Sequence, residues 1–379
     1  MAQREHYIDR LRTVMTVVVL SAHVSMTYGG SGDWFYREVP VSRSLSSILF
    51  TLFTGIQQTY LMGLFFLIAG YFTPPSLHRK GFGHFLLGRT LRLAIPLLVF
   101  GALIGPLTIV MVEMCTTPGP HSLWPTFLEV WQQDGFTNGP LWFAQALLIF
   151  SIGYCIWRLI ATRLHSNRPL HLVQTPAPVP SWRMWLLSAL GVGAGAFLLR
   201  QPFPLYDRHF GLWLGYFASY IFLFSVGVAA WHFDWLSQLT WRDARPWLII
   251  SFLVFPILPA VRARFHGPGV NELFAGGFTW PAALYAFWEP FIAWGLISAL
   301  LLLFRRFANS PSPLWDWLGR KSYAVYAIHP PVLVAIALWL RKWHASPIAK
   351  CGVVTVLGCA ASWLIADALL RLPLAKRIL

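Results

Sequence analysis

Charge is what this sequence has least of. Only 11% of its 379 residues are charged, where a soluble globular domain carries roughly a quarter. Acids are the scarcer half: 14 Asp and Glu face 29 Lys and Arg, for a formal net charge of +15. So little charge cannot cover a water-soluble surface, and soluble folds are excluded. Nucleic-acid binding is excluded as well, because the basic residues are scattered over many segments instead of gathered on one face. Cysteine is nearly absent. Cys115, Cys155, Cys351 and Cys359 have no metal-ligand spacing, so no metal is expected. Cys115 and Cys351 both fall near the expected outer face, which leaves a disulfide open, although free thiols are the simpler expectation. Also missing are the inverted repeats, and the matched pairs of Gly/Pro-broken helices, that mark many secondary transporters.

What is abundant is apolar. Hydrophobic residues make up 56% of the chain, in runs of membrane-spanning length that recur from end to end. The reading is an all-α polytopic membrane protein, a single transmembrane domain over 1–379. Ten spans are expected, at about 13–30, 46–73, 93–113, 140–160, 184–201, 210–231, 246–261, 281–304, 322–340 and 351–370. The first lacks a small-x-small cleavage pattern and is expected to be retained. With both termini cytoplasmic, the cytoplasmic segments hold 20 of the 29 Lys and Arg residues, and the outer ones hold nine. That asymmetry follows the positive-inside rule. Arg341, Lys342 and Lys350 run against it, on the outer side. Residues 164–182 read as a polar, proline-rich cytoplasmic linker. The outer segments 114–139 and 262–280 mix Trp and Phe with Asp, Glu, Asn and Gln. Such a mixture suits either membrane anchoring or contact with a sugar-like molecule.

A few polar residues fall inside the apolar layer. Arg12 and His23 are eleven residues apart, about 16 Å along a helix. With Arg12 at the cytoplasmic edge, His23 lies near the midplane of a core about 30 Å thick. Ionisable groups at that depth are costly and are functional candidates by default. Arg89 and Arg92, three apart, share a helix face at the cytoplasmic edge. They suit either snorkelling or the forked, charge-assisted binding of phosphate. Glu289 enters from the outer side to a depth of ~12 Å, so a pairing with His23 is open on depth alone. Gln57, Gln58 and Gln145 enter the outer half, and His329 reaches middle depth from the cytoplasmic side.

Taken in order, these segments resemble the acyltransferase 3 family of integral membrane acyltransferases. The match begins with YIDRLRTVMTVVVLSAH, where Arg12 and His23 keep the family's spacing of Arg, ten residues, His. It continues through LMGLFFLIAGYF (61–72), the Arg-x-x-Arg of GRTLRLAIP (88–96), GPLWFAQALLIF (139–150) and SYAVYAIHPPVL (322–333). The chain looks most similar to stand-alone members of the glucan biosynthesis protein C group, which modify periplasmic glucans. One departure stands out: Gln145 occupies a position where relatives often carry Glu. An amide there can orient an acceptor but cannot act as a base.

The resemblance implies an acyl-CoA-dependent acyltransferase of the plasma membrane, the inner membrane of a bacterium. It would move an acetyl or succinyl group from cytoplasmic acyl-CoA to a hydroxyl of an extracytoplasmic acceptor such as a glycan. His23 and Glu289 are then the catalytic candidates, with His23 as general base. Arg12, Arg89 and Arg92 would hold the nucleotide phosphates. Gln145, Trp142, Gln58, Tyr326 and His329 would contact substrate. On the residues alone two other classes stay open. One is a transporter or flippase that uses the buried His and Glu as a proton relay. The other is a scaffold whose polar groups only join helices.

Overall fold

The structure, a computed structural model, describes residues 5–119, 122–164, 174–267 and 269–379. It is all-helical. Among the described residues the only β-type pairing is a single bridge between His209 and Leu212. Helix α1 spans His6–Thr27 and α2 spans Leu45–Val99. A π-helical turn, Phe100–Ile104, leads into α3 (Gly105–Thr116), followed by α4 (Leu123–Asp134) and α5 (Trp142–Leu164). The middle of the chain forms α6 (Trp182–Leu199), α7 (Phe217–His232), α8 (Trp235–Gln238), α9 (Trp241–Val254), α10 (Ile257–Arg262) and α11 (Val270–Ala275). The last four are α12 (Trp280–Phe307), α13 (Pro313–Trp339), α14 (Pro347–Leu369) and α15 (Pro373–Ile378).

Eight described helical stretches are long and apolar enough to cross a membrane, against ten spans expected. The stretch Leu45–Thr116 takes in two of the expected spans. The connection between those two, read as a loop, is instead helical apart from Gly81, whose φ of 72° breaks the ladder. Glycine reaches that left-handed backbone without a Cβ penalty. Helix α1, with Asp9, Arg10 and Arg12 in its first turns, is not among the eight.

Within the span read as one domain, the chain forms two compact units. Of the described residues, one is built from those of Gln58–Gly88 and Ala146–Ser310 together with 5–8; the other comprises those of Asp9–Gln57, Arg89–Gln145 and Pro311–Leu379. In the second unit, α1 lies along α13. Thr13 Oγ1 and Ser322 Oγ are 3.2 Å apart, and Leu20, Val24 and Tyr28 share a core with Val325, Ile328 and Val334. Helix α14 closes on α13: Trp363 donates to the Leu318 carbonyl at 3.2 Å, and Lys321 meets Asp367 at 3.1 Å. Lys350, one of the three basic residues that ran against the charge asymmetry, is paired with Glu38 at 2.5 Å. An ion pair removes much of its cost on that side. All four cysteines are free.

The expected loops are partly structured. Segment 114–139, whose residues 120 and 121 lie outside the described residues, contains α4. The helix exposes Leu123, Trp124, Leu128 and Trp131, a pattern suited to lying at a membrane interface. Segment 262–280, with residue 268 outside the described residues, contains α11. Of the linker 164–182, residues 165–173 lie outside the described residues. After them Thr175 and Ala177 donate their amides to the carbonyls of His232 and Phe233.

In the first unit, glycine allows α2 and α7 to meet backbone to backbone. A Cβ on Gly227 would stand 2.0 Å from the Leu67 carbonyl oxygen, and one on Gly70 would stand 2.1 Å from that of Phe224. Small residues at such crossings are what brings helices together in a lipid environment. Gly227→Val is therefore expected to lower Tm and the monodisperse fraction in detergent, with an overpacking cost of about 1–3 kcal/mol or more. Gly352→Val, where nothing lies within 4 Å of an added Cβ, should leave both unchanged. Fluorescence-detected size-exclusion chromatography with a thermal ramp checks the pair.

Candidate functional site

The hydroxyls of α1 satisfy themselves. Thr13, Thr16, Ser21 and Ser25 each donate to the carbonyl four residues back, at 2.7 to 2.9 Å, as short hydroxyl side chains do in helices. The imidazole of His23 instead finds its partner on another helix. Its Nδ1 lies 3.0 Å from Nε2 of His329 on α13, and the two rings are nearly parallel, 9° apart. His23 is half-buried and His329 is fully buried.

Proline explains how His329 is held. Pro330 has no N–H to give to the carbonyl four residues earlier, which is that of Tyr326. His329 Nδ1 takes up that carbonyl at 2.7 Å. The Tyr326 hydroxyl in turn donates to the Pro140 carbonyl, and its ring meets Phe143 edge-on. Asn138 Nδ2 donates to Gln145 Oε1 at 2.9 Å, so the Gln145 carbonyl is already engaged. Trp142, Phe143, Gln145, Tyr326, His329 and His23 all belong to the second unit.

Trp34 covers the two histidines. Its indole is parallel to both rings, 8° from each, with centroids 4.1 Å from His23 and 5.9 Å from His329. The connection between α1 and α2 that carries it is fixed at several points. The amides of Glu38 and Val39 both donate to the Thr27 carbonyl. Arg37 donates to the carbonyls of Gly30 and Gly32 at 2.8 and 2.7 Å, and Glu38 is tied to Lys350. Phe35 packs edge-on against Trp34 and against Phe100.

The arginines of the candidate donor end also lie in this unit. Arg12 is 39% exposed with Asp9 at 3.6 Å. Its neighbour Arg10 is buried over the ring of Trp315. Arg92 is exposed and Arg89 half-buried, and Tyr323 ties the Arg92 carbonyl at 2.5 Å. Arg12 and Arg92 thus keep accessible charge-bearing side chains.

Glu289 belongs to the first unit, and its partner is Arg200 rather than the His23 considered from depth. Arg200 is fully buried. It also donates through Nε to the Gly215 carbonyl at 3.1 Å, and it lies over the rings of Tyr216 and Tyr285. Gln58, in the same unit, donates to the Tyr220 hydroxyl at 3.2 Å. Sequence reasoning missed Arg200, at the end of an expected span, and Trp34, hidden among the chain's 20 tryptophans. The signal for the His329 tie was present in His-Pro-Pro.

A buried ion pair broken on one side leaves an uncompensated charge, at a cost of about 3–5 kcal/mol. Glu289→Gln is expected to lower Tm markedly, and Arg200→Met combined with Glu289→Gln to recover much of the loss. Equal Tm for the wild type and Glu289→Gln would show that the pair is not structural.

Comparisons with known proteins agree with the ordered motifs. The chain is 22% identical over 398 residues to Glucans biosynthesis protein C of Salmonella typhi and of Salmonella typhimurium, covering 99% of this chain and 94% of theirs. It is 22% identical over 389 residues to the Escherichia coli K12 protein of the same name, with the same coverage. No solved structure matches. The acyltransferase 3 family, described as an acyltransferase domain, matches residues 5–367. With that match over nearly its whole length, and with its apolar helices, this chain belongs to the acyltransferase 3 family and is a multi-pass membrane acyltransferase.

Proposed function

We propose that the protein transfers an acyl group, acetyl or succinyl, from cytoplasmic acyl-CoA to a hydroxyl of an extracytoplasmic glycan. The observation that carries this reading is the half-open imidazole of His23, clamped by His329 and Trp34. It lies eleven residues, about 16 Å of helical rise, along α1 from the exposed Arg12. That rise is about the length of a pantetheine arm. Arg12, Arg89 and Arg92 take the phosphates of the donor, and the thioester arrives at His23. The relatives' names point to a glucan as the acceptor. The sidedness that the charge asymmetry supports, with both termini cytoplasmic in a plasma membrane, brings donor and acceptor from opposite faces.

His23 takes the proton of the acceptor hydroxyl as its oxygen attacks the thioester carbonyl. When the tetrahedral intermediate collapses, the C–S bond breaks and the sulfur leaves with the proton held on His23. The products are an ester and free CoA. A positioned base of this kind contributes typically 10²–10⁴-fold, and the rest must come from alignment of the two substrates. Trp142, Gln145 and Tyr326, all in the second unit, are assigned to substrate contact. Glu289, held by Arg200, supports the first unit and not the base.

Purified protein in proteoliposomes, given radiolabelled acyl-CoA on one side and glucan on the other, tests the scheme. His23→Ala should lose on the order of 10²-fold or more in transfer while acyl-CoA affinity stays close to wild type. Arg12→Ala, Arg89→Ala and Arg92→Ala should weaken acyl-CoA binding in a salt-sensitive way, with turnover partly restored at high donor concentration. A well-folded His23→Ala protein with near-normal turnover would overturn the assignment of the base.

A further inference from the structure

We propose that His329 is a positioning residue that fixes the tautomer of His23, so that Nε2 of His23 is the nitrogen that receives the acceptor's proton. The chemistry deepens the acyl-transfer reading and rests on it; the tautomer itself stands on geometry alone.

A carbonyl oxygen only accepts hydrogen bonds. The 2.7 Å contact between His329 Nδ1 and the Tyr326 carbonyl therefore places a proton on Nδ1. In a neutral imidazole only one nitrogen carries a proton, so His329 Nε2 presents a lone pair. His329 is fully buried, and among the described residues no carboxylate pairs with it, conditions that favour the neutral ring. Its Nε2 lies 3.0 Å from His23 Nδ1, and that bond forms only if Nδ1 of His23 carries the proton. The lone pair of His23 is thereby left on Nε2. Among the described residues, no hydrogen bond engages that second nitrogen.

The arrangement repeats the logic of a base oriented by a third group, with a backbone carbonyl and a second imidazole in place of a carboxylate. Pro330 makes it available, since an ordinary residue there would offer its own N–H to the Tyr326 carbonyl. Trp34, parallel to both rings, blocks one face of the pair and holds the two imidazoles parallel. When His23 takes the acceptor's proton at Nε2, its Nδ1–H still points at His329. The charge on the imidazolium is then stabilised by the His329 lone pair at its Nδ1 edge and by the indole stacked on its face. Delivery of that proton to the departing sulfur returns the pair to its starting state.

The test joins a spectroscopic signature to kinetics, on the full chain in lipid bilayers. Histidines labelled with ¹⁵N, assigned by His23→Gln and His329→Gln, should show His23 protonated at Nδ1 and bare at Nε2, with coupling across the bond to His329 Nε2. His329→Phe removes the acceptor: the Nδ1–H signal of His23 should be lost and kcat should fall by on the order of 10²-fold, with acyl-CoA affinity and acceptor KM within about twofold. His329→Gln can place a side-chain oxygen where Nε2 stood, and should keep the His23 tautomer and recover most of kcat. If His329→Phe fails to fold, the wild-type and Gln spectra still decide. A wild-type His23 protonated at Nε2, or a folded His329→Phe protein with unchanged spectrum and kcat, would overturn the inference. A wild type with the assigned tautomer but no acyl transfer would instead overturn the proposed reaction.

Discussion

A polar group inside an apolar layer has no water to turn to, so each one must be met by another part of the protein. That constraint organises both units. The hydroxyls of α1 meet it with their own backbone. Groups that cannot fold back on their own helix recruit partners far away in sequence: His329 for His23, Arg200 for Glu289, Glu38 for Lys350. Each such contact fixes one part of the chain against another more specifically than apolar packing alone, because lipid tails compete equally well for Leu and Val. Pro330 within α13 works to the same end, by freeing the Tyr326 carbonyl that His329 then uses.

The division of labour within the second unit follows from depth. Charge is expected at the edge, and Arg12 and Arg92 keep part of their side chains exposed. The His23 imidazole, expected at middle depth, is tied and stacked. The donor proposed above, with an anionic end and an uncharged reactive end, matches that expected gradient. Alignment along one helix, α1, sets the distance between the two.

Much of this was legible beforehand. The apolar runs gave the all-helical class, and the spacing of Arg12 and His23 marked the first helix before any comparison. The depth argument also flagged His329 and Glu289 as groups needing partners. It failed at the partners themselves. Depth gives one coordinate and says nothing about rotation around the membrane normal, so a carboxylate and an imidazole at similar levels were open to pairing when each had another companion. Trp34 was invisible because nothing local distinguishes a stacking indole from an interfacial one. The helical course of residues 74–92 was hidden by prolines and glycines that normally interrupt helices, yet only Gly81 leaves helical geometry. The division into two units was hidden because the chain passes between them five times, and no boundary in composition marks a crossing.

The long-range contacts of the second unit have a temporal consequence. His23 and His329 are 306 residues apart, Thr13 and Ser322 are 309 apart, and Glu38 and Lys350 are 312 apart. At a synthesis rate of about 5–20 residues per second, roughly 15–60 s separate the emergence of the first partner from the second. During that interval α1 sits in or near the membrane with its imidazole unmatched and the Trp34 segment without its anchor on α14. The cluster around His23 is thus assembled last, by the arrival of the final two long helices, and a ribosome-bound chain stopped before α13 holds His23 without His329. Under the proposed mechanism, transfer therefore waits until the whole protein is in place.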